Sequence, residues 1–417
     1  MPPFVSAPLQ SAQLSIPLNA DLDLLPARRA VALWLFIVCA MILVMIGLGG
    51  ATRLTGSGLS IMEWAPFRGA LPPVSSAEWE RLFKLYRQIP QYALLNEGFG
   101  IEGFKHIFWL EYLHRLWGRL LGFAFLLPML WFGWRGVFGS GQKLHWMRAR
   151  LVGLFLLGGA QGAVGWFMVA SGFAADSTAV SPYRLVVHLT LALSLYAAIL
   201  WTGLGVLHPQ PISTQDKPLA RRMLMATCVS VALTILAGGF VAGTHAGLDY
   251  NSFPLMDGHL VPAGYARLDP FWRNLTENIA AVQFDHRVLA TLTLLIATVT
   301  VLTSTGARNN YQAFPLYALA AAVALQYALG VATLLSVPGL GHLPVGLGTA
   351  HQAVAVLVLT AALVALHSVR APDLAPDLAP DLVPDRAPDR APDRAPNGAP
   401  NGAPNGAPNG APNGATA

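Results

Sequence analysis

The feature that most constrains this chain is a series of eight apolar runs, each long enough to cross a membrane. They lie near residues 30–50, 109–132, 150–170, 185–207, 222–242, 284–304, 313–335 and 346–368. A run of about 20 apolar residues spans a hydrocarbon core about 30 Å thick, and lipid offers no partner to exposed backbone groups, so such runs become helices. The composition agrees, with 54% hydrophobic and only 11% charged residues. The expected fold is an all-α polytopic membrane protein. The formal charge of +5 is then explained by basic residues in short loops rather than by nucleic acid. Arg135, Lys143, Arg148 and Arg150 follow the second run, Lys217, Arg221 and Arg222 the fourth, and Arg308 the sixth. The positive-inside rule places these loops and both termini in the cytoplasm and turns the long loops 51–108 and 243–283 outward.

No Lys or Arg precedes Arg28-Arg29, which argues against an Arg-rich transit peptide, and no cleavable signal peptide is evident. A bacterial inner membrane is the expected address. Cys39 and Cys228 lie far apart inside apolar runs, without metal-ligand spacing, and read as small core residues rather than a disulfide. In the first long loop, Ser75-Ser76-Ala77-Glu78 has the pattern of a capping box opening a short helix from Trp79 to Tyr86. That helix suits either a partner surface or the membrane interface. Beyond Arg370 the chain repeats Ala-Pro-Asp-Leu, Ala-Pro-Asp-Arg and Ala-Pro-Asn-Gly. A proline at every fourth position forbids a packed helix, so 369–417 is expected to be a disordered tail.

The chain also carries an internal duplication. Gly49-Gly50 followed by Gly58-Leu59 recurs as Gly238-Gly239 followed by Gly247-Leu248. Gln161, Gly165 and Ser171 recur as Gln326, Gly330 and Ser336. His114-Arg115 matches His286-Arg287, and His188 matches His351. Runs one to four thus correspond to runs five to eight in the same order and orientation. This predicts two parallel four-helix bundles related by pseudo-two-fold symmetry about the membrane normal. The expected divisions are a cytoplasmic segment 1–29, a first half 30–207, a linker 208–221, a second half 222–368 and the tail.

His114, His188, His286 and His351 each stand in the first turns of a run that descends from the outer side. All four are therefore expected near one surface, two per half. A single intramembrane histidine can be a hydrogen-bonded packing residue, but four at matching positions suggest two ligand pairs. Neutral imidazole is a good iron ligand, and two on facing helices can clamp a heme. Zinc would want further Cys or acidic ligands close by. The other histidines do not repeat. His145, His208 and His367 fall on the cytoplasmic side and His106, His245, His259 and His342 in or beside the outer loops, with His106 and His245 as candidate pocket rims. Arg115, Arg119 and Arg287 suit either heme propionates or lipid headgroups. The halves differ one turn before the histidine, where Glu111 stands three residues before His114 and Gln283 three before His286. Either Glu111 serves chemistry in the first pocket or it ties a neighbouring loop by hydrogen bonds.

The string Gly49-Gly50-Ala51-Thr52-Arg53-Leu54-Thr55-Gly56-Ser57-Gly58-Leu59-Ser60 and the lead-in Phe104-Lys105-His106-Ile107-Phe108-Trp109 resemble heme A synthase. So do Glu111-Tyr112-Leu113-His114-Arg115 and Gly118-Arg119, and the likeness, to the α-proteobacterial and mitochondrial form, spans roughly 30–368. It implies an oxidoreductase that converts a methyl group of heme O to the formyl group of heme A, by two hydroxylations to a geminal diol, for cytochrome c oxidase assembly. Carried over by motif, His114 and His188 would flank the substrate heme and His286 and His351 would ligate a heme b cofactor. Glu111 would be the catalytic carboxylate, managing protons or positioning water, and Arg53 would help shape the substrate pocket. The implied partners are heme O, a heme O synthase that supplies it, an electron donor and membrane lipid. A homo-oligomer is compatible with the sequence, and nothing points to nucleic acid. A prenyl tail on the substrate would need an apolar opening toward lipid, which the glycine-rich faces of runs one and three could provide. Some members of that family carry a cysteine pair in the first outer loop, but 51–108 contains no cysteine, so no thiol route passes through it. The rival reading is a di-heme electron-transfer protein without chemistry on its heme, which leaves the Glu111 to Gln283 difference unexplained.

Overall fold

A computed structural model describes residues 25–65, 68–139, 144–209, 218–305, 310–340 and 344–370. Most of the N-terminal segment, residues 210–217 of the linker 208–221, the repeat tail beyond Arg370, and Lys143, Lys217, Arg308 and His342 lie outside these residues. The eight runs form helices α1 (Leu25–Leu54), α2 (Ile101–Trp134), α3 (Met147–Ala170), α4 (Pro182–Leu207), α5 (Pro218–Gly243), α6 (Ile279–Thr305), α7 (Asn310–Leu340) and α8 (Val345–Ser368). All eight are long and apolar enough to cross a membrane. The protein is a multi-pass helical membrane protein, and among the described residues it has no strand beyond one isolated bridge between Met256 and His259. Pro182 opens α4 at a position where the missing N–H is harmless. At 34 residues α2 is about 51 Å long, so it exceeds the membrane core and its first turns stand beyond the lipid.

The helices touch in a repeating pattern. Within the first four, α1 packs on α2 and α4, and α3 on α2 and α4; within the last four, α5 packs on α6 and α8, and α7 on α6 and α8. The two sets meet where α1 and α5 contact α8 and α4, and where α4 meets α8. The buried residues Val31, Leu35 and Val38 of α1, Ile199 of α4, Leu224 of α5 and Ala362 of α8 belong to one core. Trp34 of α1 donates from Nε1 to the Ala124 carbonyl at 2.8 Å, and Trp117 of α2 to that of Met41 at 2.8 Å, tying α1 to α2 along its length. Cys39 and Cys228 are both free.

The long loop after α1 is a folded cap. Ser75 accepts from the Glu78 N–H at the start of a helix, Ser76–Tyr86, as the capping pattern predicts. Glu78 does not complete the reciprocal bond of a capping box; its carboxylate pairs with Arg81, which also holds Glu63. These bonds hold the Glu63 carboxyl below its usual range. The apolar side of this helix is used inside the protein, where Leu82 and Tyr86 join Phe104, Phe108 and Tyr112 of α2 in a second buried cluster. Trp79 lies 4.9 Å from Phe108, centroid to centroid. The Tyr86 hydroxyl accepts from Asn96 and donates to Gln91, whose amide donates to the Gly56 carbonyl at 2.9 Å.

Candidate functional site

The end of the bundle that carries the long loops gathers His114 on α2, His188 on α4, His286 on α6 and His351 on α8. Each imidazole rests on a glycine of the preceding helix. A Cβ added to Gly49, Gly165, Gly238 or Gly330 would lie 3.0, 2.9, 3.0 and 2.9 Å from Cε1 of His114, His188, His286 and His351 respectively. A contact of 2.9 Å is essentially never seen for a real Cβ and one of 3.0 Å is tighter than nearly all, so any side chain at these positions would press on the ring. The repeated glycines of the sequence are thus ring seats, a role that their recurrence alone did not disclose.

Further contacts orient the rings. Gln161 on α3 places its amide nitrogen 3.1 Å from Nδ1 of His188 and 3.0 Å from that residue's carbonyl. Its counterpart Gln326 on α7 lies 3.3 Å from His351 Nε2. His286 Nδ1 stands 3.1 Å from the Thr234 carbonyl. In the second half the His286 and His351 rings face each other with centroids 6.5 Å apart and planes at 87°. Nδ1 of His114 and of His351 and Oε1 of Gln161 and of Gln326 are buried without a hydrogen-bond partner. Buried polar atoms are rarely left so, and these orphans sit beside the seated rings in both halves.

Glu111 and Arg115 lie one turn apart on α2 and act together. Glu111 is 2% exposed, and its Oε2 accepts from the Ser60 hydroxyl at 2.7 Å and the Ile61 N–H at 2.9 Å. Its Oε1 accepts from Arg115 Nε and Nη2 at 3.0 and 2.6 Å. Arg115 also donates to the Glu63 and Ile61 carbonyls at 2.9 and 2.7 Å. The pair clamps the chain that leaves α1. On α6 the same clamp recurs with a neutral partner. Arg287 donates to the Ser252 and Tyr250 carbonyls at 2.9 and 2.6 Å and to Gln283 Oε1 at 2.7 Å. Gln283 donates to the Ala246 and Asp249 carbonyls, both at 2.6 Å. The loop-tying reading of Glu111 therefore describes its contacts, and the same carboxylate lies on the helix face that carries His114. Arg119 donates to the Ala65 carbonyl at 2.9 Å, so it too holds the first loop.

Arg53, at the end of α1, reaches the other half. Its Nη2 donates to the Ala242 and Gly243 carbonyls at 3.0 and 3.3 Å and lies 2.7 Å from His245 Nε2. His245 has φ 58° where the matching Gly56 has φ 68°. Desolvation, and then the Arg53 charge beside it, push the His245 imidazole down to about 4 although one edge of the ring is exposed. Of the two candidate rim histidines, His245 is thus placed at the junction of the halves. His106 lies on the first turns of α2, next to Lys105, which pairs with Glu102 at 2.7 Å.

The four imidazoles, each seated on a glycine of the preceding helix in a multi-pass helical membrane protein, are the candidate site. The chain matches the cytochrome oxidase assembly protein family, COX15-CtaA, over residues 32–363, and it belongs to that family. It is 59% identical over 343 residues to a heme A synthase of Granulibacter bethesdensis, covering 82% of this chain and 88% of that protein. It is 46% identical over 355 residues to a heme A synthase of Rhodopseudomonas palustris strain HaA2, covering 84% and 93%. Against a heme A synthase 2 of Acidiphilium cryptum it is 44% identical over 352 residues, covering 82% and 92%.

Proposed function

We propose that this protein is a heme A synthase of the bacterial inner membrane, oxidising a methyl group of heme O to the formyl group of heme A. The observation that carries the proposal is the pairing of two equivalent histidine sites, one with the carboxylate Glu111 a turn before its histidine and the other with the amide Gln283. In this reading the first half, 30–207, holds the substrate between His114 and His188. The second half, 222–368, holds a heme b cofactor between His286 and His351, with both termini in the cytoplasm and the two halves related by pseudo-two-fold symmetry.

The residues fit such a cofactor. The His286 and His351 rings stand on facing helices with centroids 6.5 Å apart, and two such neutral imidazoles could hold a heme between them. Each site offers two imidazoles, so the ligand itself must supply the remaining four positions around the metal, as a porphyrin does. When bound, the heme b would supply one-electron redox chemistry. Gly238 and Gly330 keep the space for the two rings, the Thr234 carbonyl and Gln326 set their tilt, and Arg287 closes the loop above them.

In the first half, His114 and His188 orient the substrate macrocycle. Glu111 lies under the loop that roofs the pocket, where it would take or return a proton through the Ser60 hydroxyl. Of the two parts that Arg115, Arg119 and Arg287 could play, this reading takes attraction of propionates, acting from the loop edge that they organise. Heme O would come from a heme O synthase, and electrons would reach the protein from a separate donor. The test is chromatography of hemes extracted from aerobic cells that make heme O, with and without this protein. Heme A should appear only with it, and its absence would overturn the proposal.

A further inference from the structure

We infer that the seam between α2 and α3 is a lateral window through which the prenyl chain of heme O leaves the first-half pocket. This rests on the substrate reading above. Of the neighbouring pairs within either set of four helices, α2 and α3 touch most sparsely, and the matching α6 and α7 touch more extensively. The cause can be read from the side chains. Below the pocket Phe125 of α2 stacks on Phe155 of α3 with centroids 6.3 Å apart, which holds the two backbones away from each other. Above it Arg115 lies over Trp166 of α3, 5.6 Å from the ring centroid, and Trp64 of the loop packs on that ring at 5.5 Å. Between this sill and lintel α2 and α3 carry Gly122, Gly159 and Gly162, and a Cβ added to any of them would meet nothing within 4 Å. Ten residues of helix separate Arg115 from Phe125, so the frame is about 15 Å tall.

In the second half the arginine is kept, as Arg287, while the aromatic and glycine parts of the frame are replaced. Counting from the matched His114 and His286, Ala297 stands for Phe125 and Leu294 for Gly122. Counting from Gln161 and Gln326, Ala320 stands for Phe155, Val331 for Trp166 and Tyr327 for Gly162. The alanines let α6 and α7 approach, and the Tyr327 hydroxyl bonds the Thr291 hydroxyl of α6 at 3.1 Å across the seam. That bond also shows that this register position of the odd helix looks toward its α2-like neighbour. Gly162 is one residue from Gln161, whose buried Oε1 has no partner, and one turn from Gly165, the seat of His188. The gap therefore opens from the ring-binding site rather than from an unrelated face. The glycines of α1 do not contribute such an opening, since Gly49 carries the His114 ring and Gly50 faces Gln352 of α8. A flat macrocycle between His114 and His188 could thus keep a long apolar tail in lipid while its polar edge stays under the loop. The tail-less second site needs no window and has none.

The test uses the full-length protein with its second site loaded, and titrates heme O and protoheme, the same macrocycle without the chain, by quenching of tryptophan fluorescence. Gly162→Phe should weaken heme O binding by at least about tenfold and leave protoheme within about twofold. Gly153→Phe, which adds the same ring to α3 at another open position, should change neither, and an unchanged His286–His351 heme spectrum shows that each variant is folded. Equal loss of both ligands, or heme O binding that survives Gly162→Phe, would overturn the window and leave a seam filled by lipid. Wild-type protein that forms heme A yet does not distinguish the two ligands also overturns it, while the enzyme reading stands. Tail-selective binding without heme A formation does the reverse.

Discussion

Arg115 and Arg287 hold corresponding loop carbonyls, yet one leans on a carboxylate and the other on an amide. Around that difference the two halves keep the same ring seats, with glycine on the odd helices and histidine on the even ones. Seats and clamps position the imidazoles in both halves alike, so duplication preserves them. The differences collect where a reacting, tailed ligand would need something that a resident one does not. They are a buried charge beside His114 and an open seam between α2 and α3.

The comparison can be broken most severely at the seats. Gly165→Val should abolish heme A formation and leave the cofactor spectrum intact, because the added branch would strike the His188 ring. Gly238→Val should remove the low-spin heme b signal by displacing His286. Reduced-minus-oxidised spectra and heme extraction on the same preparations separate the two outcomes. Identical losses from both variants would mean that the sites are not independent.

The clamps should differ in stability. Arg115→Ala leaves the buried Glu111 carboxylate without its cation, a change that costs about 3–5 kcal/mol. Arg287→Ala leaves only a neutral amide and loop carbonyls short of donors, at about 1–3 kcal/mol. Thermal unfolding in one detergent should rank the first variant well below the second. Equal destabilisation would show that the charge of Glu111 is offset by something other than Arg115. Glu111→Gln removes the charge and keeps most of the clamp, because the amide oxygen can still accept from Arg115 while its NH2 can donate to the Ser60 hydroxyl oxygen, leaving only the Ile61 N–H without its acceptor. Folding should be kept while heme A formation falls by about 100-fold or more. Normal turnover in that variant would leave Glu111 as a clamp alone.

Much of this was legible in the sequence. The eight spans came from apolar length, and the histidine pairs from the duplication. The sequence-predicted span ends differ most at α2, whose first turns, with Phe104 and Phe108, are covered by the loop helix rather than by lipid. Hydropathy cannot distinguish those two ways of covering an apolar face. Arg115 and Arg287 could be recognised as cations near a pocket, but nothing local tells that their donors reach carbonyls some 35 to 54 residues away. The seam escaped for the same reason. Gly162 and Tyr327 acquire meaning only when the spacing of two other helices is known.

The smallest effect concerns His245, which adopts a left-handed backbone where the first half uses Gly56. That conformation costs a side-chain-bearing residue about 1–2 kcal/mol, and the contact of its ring with Arg53 offsets part of it. His245→Gly should therefore change stability by less than about 1 kcal/mol near neutral pH, since relief of strain and loss of the contact nearly cancel. In an Arg53→Ala background only the relief remains, and the same change should stabilise by about 1 kcal/mol. Acidification sharpens the test. The His245 imidazole is held at about 4 in the folded protein against 6.5 for a free side chain. As pH falls below 6.5 the unfolded chain takes up the proton first, so this residue's contribution to stability declines between about 6.5 and 4 and is unchanged above that window. Over this window, melting temperature against pH should fall less steeply for His245→Gly than for the wild type. Parallel curves would show that Arg53 joins the halves through the Ala242 and Gly243 carbonyls alone, and that the histidine is incidental to the junction.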